Sequence, residues 1–244
     1  MPEDYFGEDV AARYDESEGD TSDSAIVDSI VDFLVDLAGD GPALELGIGT
    51  GRIALPLSQR GVRVHGIDLS TAMVARLRAK PGSEDIGVTI GDFATTTVEG
   101  TFSLAYLVFN TIMNLTTQDE QVACFQNVAG HLAPGGCFVI EVGVPDLQRL
   151  PLGETFRPFH VSARHIGFDE YDVARQGLIS HHYTAGPDGN LEPYSIPFRY
   201  VWPAELDLMA RLAGMTLRDR FSGWKREPFT SGSTTHVSVW EMPA

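Results

Sequence analysis

Strand-like and helix-like segments alternate five times between residues 43 and 144, and this regularity restricts the fold more than any other feature of the sequence. Short apolar runs such as ALEL (43–46) and FSLAYLVFN (102–110) are typical of buried strands. Helical segments such as STAMVARLRAK (70–80) and QDEQVACFQNVAGHLAPGG (118–136) follow them after short connections. The alternation predicts a doubly wound α/β fold with a mostly parallel sheet covered by helices on both faces.

The chain changes character on either side of this region. Residues 1–24 form an acidic arm that contains nine carboxylates before the first amphipathic helix. Within residues 146–200, alternating strand patterns flank a turn at 186–190, so we expect an antiparallel hairpin insertion there. Residues 201–244 supply one more helix and a closing strand, THVSVWEM, which complete the sheet. We expect these segments and residues 25–145 to form one domain.

Charge and cysteine content exclude several kinds of partner. The 244 residues carry a formal net charge of -17, so a nucleic acid would be repelled. No apolar run approaches the length of about 18 residues that a membrane span needs. Cys124 and Cys137 lie in apolar surroundings without metal-ligand spacing, which favours a reducing, cytoplasmic compartment and neither a disulfide nor a metal site.

Three alternate glycines, Gly47, Gly49 and Gly51, follow the first strand. Because glycine lacks a Cβ atom, their N–H groups are open to a ligand in the crevice at the carboxyl ends of the strands. A dinucleotide fingerprint, G-x-G-x-x-G, would need its third glycine at position 52, where the sequence has Arg52. A nicotinamide-dependent oxidoreductase is therefore a disfavoured alternative, and the absence of a G-x-x-x-x-G-K-[ST] motif removes support for a nucleoside triphosphate site.

Two acidic residues border the glycine loop. Glu45 precedes it directly, where a carboxylate favours a cationic ligand over a pyrophosphate. Asp68 ends the second strand, 17 residues beyond Gly51, and its two oxygens suit the two hydroxyls of a ribose. The sequence therefore predicts a ligand that combines a ribose with a positive charge.

The segments LELGIGTG, VHGIDLS and GDF resemble, in order and spacing, the class I S-adenosylmethionine-dependent methyltransferases over about residues 25 to 145. The resemblance implies a seven-stranded Rossmann-like sheet, S-adenosylmethionine as cofactor and S-adenosylhomocysteine as product. It places the glycine loop, with Glu45, under the methionine and ribose portions, and it assigns Asp68 to the ribose hydroxyls. The remaining cofactor residues that it implies are Leu69, Met73, Asp92 and Phe93, of which Asp92 and Phe93 border the adenine and Met73 packs on its face.

Methyl transfer from a sulfonium requires alignment of donor and acceptor and exclusion of water, and it needs no nucleophilic triad. We expect the acceptor pocket at the ends of the first and fourth strands, beneath the N-terminal arm and the insertion. The candidate catalytic residues are Tyr5 and Tyr14 in the arm and Phe109 at the end of the fourth strand, because aromatic faces attract cations. In related small-molecule methyltransferases an arm tyrosine in a YD-like pair reaches the cofactor, which implies that Tyr14, together with Phe109, also contacts it.

The late segment RYVWPAELDLMARLAGMTLRDRFSGW resembles actinobacterial small-molecule methyltransferases, including amino-sugar and other antibiotic-tailoring N-methyltransferases. An amine acceptor needs only to lose its proton, whereas an alcohol usually needs a base or a metal. Adjacent histidines, His181 and His182, point to opposite faces of a strand, so at most one would serve as a base. An amine of a secondary metabolite is therefore the favoured acceptor. The alternatives are O-methylation of a hydroxylated metabolite and a non-catalytic adenosyl-binding module.

The role of the insertion stays open between two interpretations. Residues 146–200 either cover the acceptor or provide a contact between copies in a homo-oligomer.

Overall fold

The computed structural model describes residues 6–17, 24–186 and 190–244, and its larger sheet has seven strands. These are β1 (Ala43–Leu46), β2 (Val64–Asp68), β3 (Gly87–Ile90), β4 (Phe102–Leu107), β5 (Leu132–Gly143), β10 (Thr216–Phe221) and β11 (Thr235–Glu241). Their order is β3-β2-β1-β4-β5-β11-β10. The first five strands are parallel, and β11 runs antiparallel to both β5 and β10. The predicted seven-stranded, mostly parallel sheet is confirmed.

A second sheet is formed by the insertion. It contains β6 (Phe156–Val161), β7 (His165–Asp172), β8 (Gly177–Ala185) and β9 (Leu191–Arg199), all antiparallel in sequence order. The predicted hairpin corresponds to β8 and β9, although residues 187–189 of its turn lie outside the described residues. The insertion is thus confirmed as antiparallel, and it is larger than one hairpin because β6 and β7 extend it to four strands.

Six α-helices are present in the described part of the chain: α1 (Glu8–Ser17), α2 (Ser24–Ala38), α3 (Ala54–Gln59), α4 (Thr71–Arg78), α5 (Gln118–His131) and α6 (Pro203–Leu212). Helix α5 begins at a capping box in which Thr117 and Glu120 bond each other's backbone. It ends at His131, before the predicted stop at residues 134–136, because β5 already begins at Leu132. None of the helices described has the length and apolar character that would let it cross a bilayer.

Side chains of the central strands alternate between two cores, one on each face of the sheet. In β4, Ala105 and Leu107 face the core that α5 and α6 cover, whereas Leu104 and Tyr106 face the core that α2 and α3 cover. Both sets are buried. Burial on both faces explains why β4 is almost entirely apolar, and it confirms that helices cover the sheet on both sides.

The strand order reverses between β1 and β4, and in a doubly wound sheet this switch point is where a ligand crevice forms. The glycine loop leaves β1 here, and Phe109 and Asn110 follow β4. Helix α1 packs against α4 nearby, and the Ser70 hydroxyl donates a 2.6 Å hydrogen bond to the Phe6 carbonyl. The described part of the N-terminal arm therefore lies beside the crevice and is helical.

Candidate active site

The glycine loop turns sharply from β1 into α3. Gly47, Gly49 and Gly51 have φ angles of 72°, 54° and 78°, a left-handed conformation that side chains with a Cβ atom disfavour. The N–H groups of Gly47 and Ile48 both donate to the Ile67 carbonyl, at 2.8 and 3.1 Å. These bonds hold the loop against the end of β2, next to Asp68.

Asp68 links the loop to the start of α4. Its Oδ2 accepts a hydrogen bond from the Gly49 N–H at 2.6 Å, and its Oδ1 accepts one from the Ser70 N–H at 2.8 Å. Ser70, and not Asp68, caps α4, because its Oγ accepts from the Met73 N–H at 3.1 Å. Burial raises the pKa of Asp68, and the two N–H donors oppose the rise. Each carboxylate oxygen retains a further lone pair, so the group can still accept two ribose hydroxyls.

Glu45 lies beneath the loop in a buried pair with Tyr106. The Tyr106 hydroxyl donates to Glu45 Oε2 at 2.9 Å, and both residues are at most 3% exposed. Burial raises the pKa of Glu45 to about 8, against the lowering effect of the Tyr106 hydrogen bond, and the nearby charge of Asp68 adds to the rise. The carboxyl group therefore gains its charge close to neutral pH, where a bound cation favours the ionised form.

The residues assigned to the adenine gather around the same loop. The Phe93 ring lies 3.9 Å from the point where a Cβ atom would stand on Gly47, and Met73 Cε lies 3.5 Å from the corresponding point on Gly49. Asp92 is exposed, with Oδ1 accepting from the Ala94 N–H at 2.9 Å, and Leu69 is 44% exposed. Phe93 and Met73 therefore lie beside the glycine loop, and the contacts of all four residues with the cofactor stay predictions.

Tyr14 and Phe109 both lie close to the guanidinium group of Arg52, a residue that was not among the candidate site residues. Arg52 Cζ lies 5.0 Å from the ring centroid of Tyr14 and 5.1 Å from that of Phe109. In the sequence, Arg52 was noted only because it stands where a dinucleotide-binding fingerprint needs its third glycine. No motif indicated a functional role for it. Tyr5, the third candidate, lies outside the described residues.

The backbone after β4 has an unusual conformation next to this arginine. Phe109 and Asn110 have φ angles of 55° and 61°, and the Phe109 N–H donates to Glu141 Oε2 at 2.6 Å. Burial raises the pKa of Glu141, while the N–H groups of Phe109 and Asn110 oppose the rise. Glu141 was also absent from the predicted site, although one signal marked it, since it is the single charged residue in the apolar run CFVIEVGV.

The paired histidines of the insertion point to opposite faces of β8, as expected. His181 bonds Ser195 Oγ at 2.8 Å and Glu170 Oε2 at 3.0 Å. His182 Nδ1 lies 3.0 Å from His165 Nε2, and its ring stacks on Tyr194 with centroids 4.6 Å apart. Burial lowers the pKa of His182 to about 4, and the charges of neighbouring histidines add to this effect. Across residues 6–17, 24–186 and 190–244, no group of three or more His, Cys, Asp or Glu side chains is arranged to hold a metal ion.

Comparison with known proteins agrees with this geometry. Residues 43–136 match a family model described as a methyltransferase domain. The chain is 35% identical to the CcbJ methyltransferase from Streptomyces caelestis, and the two structures superpose with a TM-score of 0.88 over the full length of both chains. It is 29% identical over 208 residues to the cypemycin N-terminal methyltransferase of a Streptomyces species, which covers 81% of this chain and 82% of that protein. CalS10, an amino pentose methyltransferase from Micromonospora echinaspora, shares the fold at 22% identity, with a TM-score of 0.66 and coverage of 96% and 97%.

The chain belongs to the class I S-adenosylmethionine-dependent methyltransferases. It is an enzyme whose methyl donor is S-adenosylmethionine and whose cofactor product is S-adenosylhomocysteine. The predictions of class, fold, activity and cofactor are confirmed, as is the resemblance to the antibiotic-tailoring branch of small-molecule methyltransferases.

Replacing Glu45 with glutamine should separate the stability of the empty enzyme from its affinity for the donor. The folded-state pKa of Glu45 is about 8 and its ordinary value is 4.5, so the folded chain retains a proton that the unfolded chain has lost. The free energy of unfolding therefore falls as pH rises from about 4.5 to 8. Glu45→Gln should remove this pH-dependent loss, so the free energy of unfolding, measured by urea unfolding at pH 5 and pH 8, should fall less between the two pH values in the variant than in the wild type.

The same variant should bind S-adenosylmethionine more weakly, because it lacks the charge that favours a sulfonium. Binding of S-adenosylhomocysteine, whose sulfur is neutral, should change less. Equal losses of affinity for the two ligands, measured by calorimetry, would show that Glu45 does not interact with the positive charge on sulfur.

Proposed function

We propose that this enzyme transfers the methyl group of S-adenosylmethionine to an amine nitrogen of a small secondary metabolite. The observation that carries the proposal is that the guanidinium of Arg52, a group that does not act as a base, lies 5.0 Å from the ring centroid of Tyr14 and 5.1 Å from that of Phe109. His181 and His182, the candidate bases, are hydrogen-bonded to side chains of the insertion. An amine acceptor is compatible with such a site because its own lone pair is the nucleophile.

The similarity to the cypemycin N-terminal methyltransferase supports an amine acceptor, since the name of that relative specifies an amino-terminal target. The net charge of -17 supports a small acceptor over a nucleic acid. Two buried free thiols, Cys124 and Cys137, support a reducing, cytoplasmic location.

When bound, S-adenosylmethionine supplies an electrophilic methyl group on a sulfonium. The chain's own groups would hold it at four places: the backbone of Gly47, Gly49 and Gly51 beneath the methionine and ribose, Glu45 under this loop, Asp68 at the ribose, and Leu69, Met73, Asp92 and Phe93 around the adenine. Arg52 suits the carboxylate of the methionine portion, because a guanidinium recognises carboxylates through charge-assisted hydrogen bonds.

The acceptor would enter on the side of Tyr14 and Phe109, with Tyr5 of the arm as a further candidate. Tyr171 and Leu178 of the insertion pack with Met113, which follows Phe109 by four residues. This packing supports the role of residues 146–200 as a cover for the acceptor. In the same proposal, residues 1–24 would form a lid, residues 25–145 the cofactor-binding half, and residues 201–244 the part that completes the sheet.

The insertion also has features that suit self-association. Phe156, Phe159 and Val161 on the edge strand β6 are between 48% and 74% exposed, and residues 156–199 contain four arginines against five acidic residues. A nearly neutral, apolar surface is where two copies of an otherwise strongly acidic chain approach with least repulsion. Sedimentation of Val161→Lys against wild type tests a homo-oligomeric contact at this strand.

The proposed acceptor chemistry is tested by the pH dependence of turnover. A panel of amino sugars, peptides with free amino termini and their hydroxyl counterparts is first screened with methyl-labelled S-adenosylmethionine. For an accepted amine, kcat/KM should rise with pH up to the pKa of its ammonium group, because only the neutral amine attacks. A fluorinated analogue of this amine has a lower ammonium pKa, and the midpoint of its pH profile of kcat/KM should be lower by the difference between the two ammonium pKa values.

Tyr14→Phe should lower kcat without moving this midpoint. Methylation confined to hydroxyl acceptors, or one midpoint shared by both amines, would contradict the proposal.

A further inference from the structure

The left-handed turn after β4 is held by the neighbouring strand. Two consecutive residues with Cβ atoms, Phe109 and Asn110, have φ angles of 55° and 61°, which is unfavourable for each of them. A chain segment keeps such a conformation only when surrounding contacts enforce it. The contacts that do so here come from the carboxyl end of β5.

Three hydrogen bonds join the turn to β5. The Phe109 N–H donates to the Glu141 carboxylate at 2.6 Å, and the Asn110 N–H donates to the Glu141 carbonyl at 3.3 Å. The Gly143 N–H donates to Asn110 Oδ1 at 2.7 Å. The first of these bonds is the shortest, and its acceptor is the Glu141 side chain, so a substitution of Glu141 removes it without removing the Asn110 N–H bond to the Glu141 carbonyl.

The turn determines where the Phe109 ring lies. The Arg52 guanidinium lies over this ring, 5.1 Å from its centroid, and it lies 5.0 Å from the ring centroid of Tyr14. If the turn relaxed to negative φ angles, the direction of the Phe109 side chain would change and its contact with Arg52 would be lost.

We propose that Glu141 is a positioning residue for methyl transfer, which holds Phe109 against Arg52 through the backbone of the turn. The inference rests on the proposed role of Phe109 in the site. Glu141 itself touches neither donor nor acceptor in this role. It acts by keeping the Phe109 ring in the place that alignment of donor and acceptor requires.

Three substitutions at Glu141 separate its effects. Glu141→Leu removes the acceptor, Glu141→Asp keeps the charge but shortens the side chain by one methylene, and Glu141→Gln keeps both the length and an acceptor oxygen. We expect the leucine and aspartate variants to lose at least about 10-fold in kcat, because small displacements of reacting groups have effects of this size. The glutamine variant should retain at least about a third of kcat, and affinity for S-adenosylhomocysteine should change less than about 3-fold in all three, because the glycine loop and Asp68 remain.

A double-mutant cycle tests whether Glu141 acts through Phe109. Combining Glu141→Asp, which disturbs folding less than leucine, with Phe109→Ala should lower kcat no further than Phe109→Ala alone, since both changes remove the same ring from its place. Glu241→Gln, an exposed glutamate at the end of the neighbouring strand β11 that pairs with Arg218 at 3.2 Å, is the matched control and should be unchanged.

Two results would overturn the inference: unchanged kcat in Glu141→Asp, or losses that multiply in the double mutant. The cycle is measured with whichever acceptor the wild-type enzyme methylates. Turnover of a hydroxyl acceptor alone would therefore refute the amine proposal and leave the test of Glu141 intact.

Discussion

Asp68→Ala should weaken binding of S-adenosylhomocysteine by roughly 1–3 kcal/mol, because the variant loses charged hydrogen bonds to the ligand. The effect has two sources. The ribose loses its acceptor, and the N–H groups of Gly49 and Ser70, which donate to the carboxylate at 2.6 and 2.8 Å, lose theirs. Calorimetry on the purified variant measures the affinity, and the melting temperature of the empty variant shows how much of the change comes from the loop.

A conservative variant at position 68 and a control at an exposed aspartate elsewhere complete this test. Asp68→Asn keeps the size of the side chain and one acceptor oxygen, so its loss should be smaller than that of alanine. Asp32→Ala removes an exposed aspartate of α2 that pairs with Arg60 at 2.8 Å, and it should bind as the wild type does. Affinity equal to wild type in Asp68→Ala would refute the assignment of this residue to the ribose.

Gly66→Ala should destabilise the fold by about 1–3 kcal/mol and lower cofactor affinity with it. A Cβ atom on Gly66 would stand 2.3 Å from Ile48 Cδ1 and 2.6 Å from Ile48 Cβ. Ile48 is buried, and its Cβ atom is fixed to the backbone of the glycine loop, so relief of the clash requires the loop itself to move. Urea unfolding measures the free energy of unfolding. Calorimetry with S-adenosylhomocysteine measures the loss of affinity that a displaced loop should cause.

Gly130→Ala provides a control of opposite sign. Gly130 lies in α5, and a Cβ atom there would have no neighbour within 4 Å. Alanine in a helix is more favourable than glycine by roughly 0.5–1 kcal/mol, so this variant should be more stable than wild type. Equal urea midpoints of unfolding for Gly66→Ala and Gly130→Ala would show that Gly66 is not held close to the loop.

The parallel half of the sheet was predictable because its residues obey simple rules. Strands buried on both faces are mostly apolar, β1 and β3 are followed directly by a glycine, and β2 ends two residues before the helix-capping Ser70. The antiparallel part was harder to recognise. Strand β10 has the sequence TLRDRF, with three charged residues, because it lies at the edge of the sheet and half of its surface faces solvent.

The candidate site shows the same division. Gly47, Gly49, Gly51 and Asp68 were predictable because the chemistry of the proposed ligand restricts both residue type and spacing. Arg52 and Glu141 contact residues distant in the chain, Tyr14 and Phe109, and no local pattern encodes such a pairing. The helix in the N-terminal arm was not predicted, because its many acidic residues hide the apolar periodicity of a helix. The buried Ala11 contributes one apolar position to it.

The strict alternation of side chains in the central strands limits where this family of chains can change in length. Leu44 and Leu46 belong to one core, whereas Glu45 between them meets Tyr106 on the other face. Deleting one residue from β1 would place a leucine against the Tyr106 hydroxyl and drive the carboxyl group into an aliphatic layer. An addition leaves this register unchanged where a strand has already ended, and the four-stranded insertion between β5 and α6 occupies such a place, outside the register of β1 against β2 and β4.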